Sequence, residues 1–189
     1  MPQNFLHLHA YTIMHEKHAG IAFILAASLM WALEPIFAKL SYSSTDFLHT
    51  SAIRAIFACL TSLFYIAIRN IRKILIDAKV MPSILYIAFI GTLFADLIYF
   101  LALTTVPVIN AVIIAHMQPL FIILFGFFLL KEKLMPYDYI GIFFMILSGI
   151  FVSARTFHNI AMIHIGSVGD LFVLFATIAW ATTAMVARK

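Results

Sequence analysis

GIAFILAASLMWALEPIFAKL, residues 20–40, returns as GDLFVLFATIAWATTAMVARK at residues 169–189. Aligned without gaps, the copies share Gly20/Gly169, Phe23/Phe172, Leu25/Leu174, Ala27/Ala176, Trp31/Trp180, Ala32/Ala181 and Ala38/Ala187. Ser28/Thr177, Leu29/Ile178 and Lys39/Arg188 are conservative pairs around them. Four further apolar stretches lie between the two copies. A repeat unit of five membrane-crossing helices is odd, so its second copy must cross in the opposite direction. That is the inverted-repeat logic of secondary carriers.

Composition points the same way. Hydrophobic residues make up 64% and charged residues 11%, where soluble domains have about 45–50% and about 25%. No stretch alternates with period two, which argues against a β-barrel. The expected fold is an all-α integral membrane bundle of about six transmembrane helices, a partial inverted-repeat transporter fold. A net charge of +4 does not make a nucleic-acid binder, because most of the basic residues sit between apolar spans. Zinc-finger spacing, a P-loop, GxSxG and HExxH are all missing from the sequence, and Cys59 is the single cysteine, so no enzyme activity, catalytic residue, cofactor or metal is expected. Cys59 itself reads as a small buried apolar residue.

A helix needs about 20 apolar residues to cross the hydrocarbon core, which places spans at 20–40, 49–68, 82–103, 108–130, 137–155 and 168–187. Pro82, Pro107 and Pro136 stand where spans three, four and five begin, and a missing N–H is harmless at a helix start. With the N-terminus inside, nine of the twelve basic residues fall on the cytoplasmic side: Lys17, Arg69, Arg72, Lys73, Lys79, Lys131, Lys133, Arg188 and Lys189. Lys39 and Arg155 fall outside and Arg54 lies within a span. The positive-inside rule therefore predicts a cytoplasmic N-terminus in a multi-pass protein of the cytoplasmic membrane. The leading segment 1–19 carries His7, His9, His15 and His18. Without a cysteine or carboxylate cluster it reads as an unstructured cytoplasmic tail rather than a metal site, and Met14 is an alternative start.

The stretch 102–149 resembles the EamA repeat of the drug/metabolite transporter superfamily. Ala102-Leu103 precede a short Thr-rich turn, Ala111 follows nine residues on, and Pro119 lies within span four. Glu132 closes LLKEKL and Gly141 comes nine later. Arg54 and Trp31 also sit where that family places such residues. Gly149 stands with Ser148 where the family pattern more often has its second glycine. The resemblance implies a first five-helix repeat over 20–155, an external loop at 156–168 and the first helix of a second repeat at 169–189. It also implies an inner-membrane carrier of a small metabolite that works without ATP. Family members generally have ten helices, so a six-span chain is expected to be incomplete as a carrier unless it oligomerises or a partner supplies helices. Its expected partners are the lipid bilayer and a small-molecule substrate, with no nucleic acid.

Ionisable groups inside hydrocarbon cost at least about 2.5–3.5 kcal/mol each and face the bundle interior or a wet cavity. Glu34, Arg54, Asp96 and His116 are such positions, and Asn110 and Gln118 add polar amides within the spans. Rise per residue puts Glu34 at about 9 Å, Arg54 at about 7–8 Å, Asp96 at about 10 Å and His116 at about 12 Å from the outer surface. Four helices thus contribute to one layer. The bland reading is that Arg54 pairs with Glu34 or Asp96 and merely locks the bundle. The functional reading leaves the other carboxylate, with His116, to exchange protons or bind a cationic group. On span three, Thr92, Asp96 and Tyr99 share a helical face, as Thr50, Arg54 and Thr61 do on span two. His116 and Gln118 point about 160° apart and share a cavity only if Pro119 distorts the helix. Trp31 and Trp180 lie away from the interfaces, so each either packs at the repeat interface or lines a substrate path. The candidate substrate- or proton-binding set is Glu34, Arg54, Asp96, Tyr99, His116, Gln118, Trp31 and Trp180. The alternative function is a non-transporting remnant or a small membrane interaction subunit.

Overall fold

A computed structural model of the chain describes residues 3–69, 77–154 and 166–188, with the backbone alone at residues 3–17, 19, 69 and 153. All regular structure among these residues is helical: α1 (Gln3–Ser41), α2 (Phe47–Arg69), α3 (Met81–Tyr86), a π-helical segment (Ile87–Ala95), α4 (Asp96–Thr105), α5 (Val108–Ala115), α6 (Gln118–Leu130), α7 (Pro136–Ala154) and α8 (Val168–Ala187). Gly20–Ser41, Phe47–Ile68, Met81–Thr105, Val108–Leu130 and Val168–Ala187 are long and apolar enough to cross a membrane, and Pro136–Val152 is a shorter apolar helix. The chain is an integral membrane helical bundle. Arg155 and the loop after it lie outside the described residues.

The chain forms two compact units, Met1–Phe37 and Ala38–Lys189. In the first, helix α1 begins at Gln3 and continues through Pro35. The tail expected to be unstructured is therefore helical. Its sequence explains this, since no Gly or Pro interrupts residues 3–19 and helix interiors are broken chiefly by those two residues. The side chains of His7, His9 and His15 lie outside the described residues.

In the second unit, proline placement accounts for most of the helix ends. The Pro107 carbonyl accepts from Asn110 N and Ala111 N at 3.1 and 3.2 Å, starting α5. Pro119 cannot donate back to the Ala115 carbonyl, and its ring crowds that group. The fourth span accordingly breaks at His116–Met117 and restarts at Gln118. The break is held by Met117 N on Ile114 O at 3.0 Å and Leu120 N on Met117 O at 2.9 Å. Ser167 and Asp170 form a capping box at the start of α8, with Ser167 N donating to Asp170 Oδ2 at 2.8 Å, which satisfies donors that a helix start leaves orphaned.

Helix α8 is the centre of this unit, packing on the π-helical segment, α4, α5 and α6. Small or slender residues make up most of its buried face, Gly169, Val173, Ala176, Thr177, Ala179, Ala181 and Thr183, with Asp170 and Met185 near its two ends. Small residues let membrane helices approach closely, and that contact replaces the missing hydrophobic drive between helices in lipid. A Cβ on Gly169 would stand 2.5 Å from both Thr105 Oγ1 and Val106 Cγ1, and one on Gly149 2.6 Å from Met117 Sδ. Gly141, by contrast, faces only Met145 of its own helix, at 3.9 Å, so it permits no close helix approach. Cys59 is exposed rather than buried, because α2 turns Phe57, Leu60 and Phe64 outward along with it.

Candidate functional site

Span three carries the most unusual backbone of the chain. Between α3 and α4, nine residues wind as a π-helix, closing wider turns than an α-helix does, and such segments are frequent at functional sites. Asp96 is the first α-helical residue after it, and its own N–H bonds Leu93 O. The Gly91 carbonyl instead accepts the indole N–H of Trp180 at 3.1 Å. Gly91 is buried, and a Cβ there would stand 3.0 Å from Thr183 Cγ2 on α8. This glycine lets α8 approach far enough for Trp180 to reach the carbonyl.

The same indole N–H lies 2.9 Å from Asp96 Oδ1. The other carboxylate oxygen, Oδ2, pairs with the Arg54 guanidinium of α2. The pairing of Arg54 with Asp96, one of the two open in the sequence, is thus present. The pair is largely withdrawn from the surface, with 34% of the Arg54 side chain and 17% of the Asp96 side chain exposed. Beneath the guanidinium lies the Phe100 ring, its centroid 4.6 Å from Cζ, within the range of a cation–π contact. Tyr99 completes the wall, 5.2 Å from the Trp180 ring and 5.7 Å from Phe100. Three helices thus bring one cation, one anion and three aromatic rings together.

Toward the end of α4 that follows this cluster, polar groups close the backbone. Tyr42 donates its hydroxyl to Phe100 O at 3.0 Å. Burial pushes that hydroxyl up to about 12, against the lowering pull of the Arg54 charge. The Lys39 ammonium donates to the carbonyls of Leu103, Thr104 and Val106, where an α-helix leaves orphan acceptors and favours a cation. Lys39, Tyr42, Asp46 and Thr104 line a cavity of about 520 Å³ there.

The remaining candidates are placed differently. Thr92 is exposed while Tyr99 is buried, so the face expected from α-helical spacing does not persist across the π-helical segment. Gly91 meets Trp180 instead. His116 places Nδ1 2.7 Å from Val112 O. It lines an apolar cavity of about 430 Å³ with Phe144, Met145 and Ser148 of α7, apart from Arg54. The helix does break at the Pro119 site, and Gln118 is the half-buried first residue of α6. Thr61 bonds Phe57 O on its own helix, and Thr50 bonds Ser41 Oγ at 2.9 Å. Trp31 and Glu34 belong to the first unit, three residues apart on α1. Sequence reasoning missed Phe100 and Gly91. Phe100 follows Asp96 by four residues and was available from that spacing. Gly91 had no signal without the π-helix.

The EamA-like transporter family profile matches residues 18–154. The chain belongs to the EamA-like transporter family. Over 105 residues this EamA-like chain is 25% identical to a protein of Methanothermobacter thermautotrophicus described as an uncharacterized transporter. That match covers 56% of this chain and 31% of the relative. No solved structure matches the chain. The matched region contains α2, the π-helical segment and α4 but not Trp180, which lies in the repeated helix beyond it.

Proposed function

We propose that this EamA-like chain acts as a secondary carrier for a small metabolite or drug-like solute across the cytoplasmic membrane, with its N-terminus in the cytoplasm. One observation carries the reading: the Arg54–Asp96 pair, set in apolar helices and joined through Trp180 to the helix that repeats span one. A locking pair needs no aromatic wall and no π-helical backbone beside it. A solute site benefits from both, because rings shape the cavity and an irregular backbone offers carbonyls. In an inverted-repeat carrier the facing wall comes from a second unit, supplied here by further chain, a partner or a second copy. Solute or proton gradients drive the cycle.

The test is flux in proteoliposomes containing a transport-competent assembly of the chain. Arg54→Gln and Asp96→Asn are each expected to lower gradient-driven solute uptake by at least tenfold while leaving protein insertion intact. Full uptake in both variants removes the cluster from the transport path. Comparing Glu34→Gln with Asp96→Asn over pH tests proton coupling, which is wrong if both keep uptake with unchanged pH dependence. Orientation is checked with Ile76→Cys and Ile160→Cys. An impermeant thiol reagent added outside is expected to label position 160 and to spare position 76, and the reverse pattern inverts the topology.

A further inference from the structure

Two groups of different kinds meet Arg54 in this cluster. The Asp96 carboxylate pairs with its charge, and its Cζ stands over the Phe100 ring, 4.6 Å from the centroid. Trp180 and Tyr99, 5.2 Å apart, stand beside them. A carboxylate with a ring face beside it, here Phe100, and further aromatic rings around it is the chemistry that recognises weakly hydrated organic cations, through charge and through the ring quadrupole. We propose that Asp96, Phe100, Tyr99 and Trp180 form a binding site for an organic cation, a guanidinium or a substituted ammonium. Arg54 is its tethered occupant, displaced when the solute enters. This names the substrate class of the site and rests on the carrier reading for its use in transport.

An ion pair can be opened from either side, and the geometry favours entry of a cation. When Arg54 leaves, Asp96 keeps the Trp180 N–H on its other oxygen at 2.9 Å, so the carboxylate stays positioned for the incoming charge. The departing Arg54 has somewhere to go. It lies seven residues after Phe47, the first residue of α2, so about 10 Å along the helix, and long basic side chains reach toward the interface by snorkelling. An anionic solute would have to take Arg54 from Asp96 while the Phe100 ring, whose face repels anions, stays against the guanidinium. Resident and incoming cations compete for one seat.

The experiment uses three probes of matched size, butylguanidinium, butyrate and butanol, titrated calorimetrically into the purified full chain in lipid nanodiscs. Saturable binding of butylguanidinium alone is expected. Arg54→Gln removes the competitor and is expected to tighten it about tenfold, because a ligand's apparent affinity rises with the fraction of sites free to take it. Asp96→Asn is expected to abolish it. If Asp96→Asn does not fold, the Arg54→Gln arm still decides, since its predicted sign is a gain. Unchanged or weaker cation binding in Arg54→Gln overturns the proposal, as does saturable binding of butyrate or the failure of all three probes to bind. Solute flux with butyrate binding sinks the cation assignment and leaves the carrier reading standing. Cation binding without flux of any solute does the reverse.

Discussion

Helices α2 and α8 have nearly equal mean hydropathy, 1.8 and 1.7, yet 6% of one span is buried and 39% of the other. The difference lies in side-chain size. Helix α2 carries Phe57, Leu60, Leu63 and Phe64, all exposed. Helix α8 presents Gly169, Ala176, Thr177, Ala181 and Thr183 inward. In water the large apolar residues would be the buried ones. In lipid they gain nothing by leaving the bilayer, and close contact between backbones decides what is inside. The two buried hydroxyls on α8 are satisfied within their own helix, Thr177 on Val173 O and Thr183 on Trp180 O, so they enter the interior without needing partners on other helices. Helix α2 contributes Arg54 to the cluster, places Phe47 against the core and buries Ser51, and exposes most of its large apolar residues.

The sharpest test of that contrast removes the ion pair that ties α2 to α4. Asp96→Asn leaves Arg54 facing a neutral amide, and breaking one side of a buried pair costs about 3–5 kcal/mol. With a third of the Arg54 side chain exposed, the lower end is expected, about 3 kcal/mol. The double variant Arg54→Gln/Asp96→Asn is expected to recover more than half of that loss in thermal unfolding in detergent, because both charges of the pair are then removed together. A double variant as unstable as the single one shows that packing, not charge pairing, dominates there.

Next in size is packing itself. Gly169→Leu puts a branched side chain where even a Cβ meets Thr105 and Val106 at 2.5 Å, and overpacking costs about 1–3 kcal/mol. Leu60→Ala on the exposed face of α2 is expected to change stability by less than about 0.5 kcal/mol. Equal losses in the two variants would break the size rule.

How far the sequence carried this depends on which signals survive a change of backbone. Span limits agree with the helices within two residues at most ends, because proline and hydrophobic length act locally. Arg54 and Asp96 were legible as one layer, since rise per residue alone sets depth. That Asp96 pairs with Arg54 was one of two readings the sequence left open, since depth says nothing about azimuth. Thr92 was misplaced because α-helical spacing was carried through residues 87–95, where the helix widens. Cys59 was misplaced because residue type alone does not say which face of α2 meets the core. The likeness of Trp31 and Trp180 was plain, but the acceptors that Trp180 meets, Gly91 O and Asp96 Oδ1, depend on the π-helical turn.

The smallest expected effect lies at the N-terminal end of α2, where the helix leaves the bilayer. Asp46 caps it, accepting His49 N at 2.7 Å on Oδ1. That backbone bond first, and the His49 side-chain bond second, hold the Asp46 carboxyl below its ordinary value. A folded-state pKa below the unfolded one means a stabilising contribution that is fully present above the unfolded value, about 3.9. It fades as pH falls through the lower folded value. Asp46→Ala is therefore expected to lower Tm slightly at pH 7, by less than either core variant, because the group is fully exposed. The difference from the parent chain is expected to shrink when both are melted near pH 3. A gap that persists at low pH would mean that the cap acts through the shape of the 42–46 turn, where Thr45 N bonds Ser41 O at 3.0 Å and Thr50 N bonds Asp46 O at 3.1 Å. In that case α2 is anchored at its end by backbone geometry rather than by charge, which would widen its contrast with the boxed and packed start of α8.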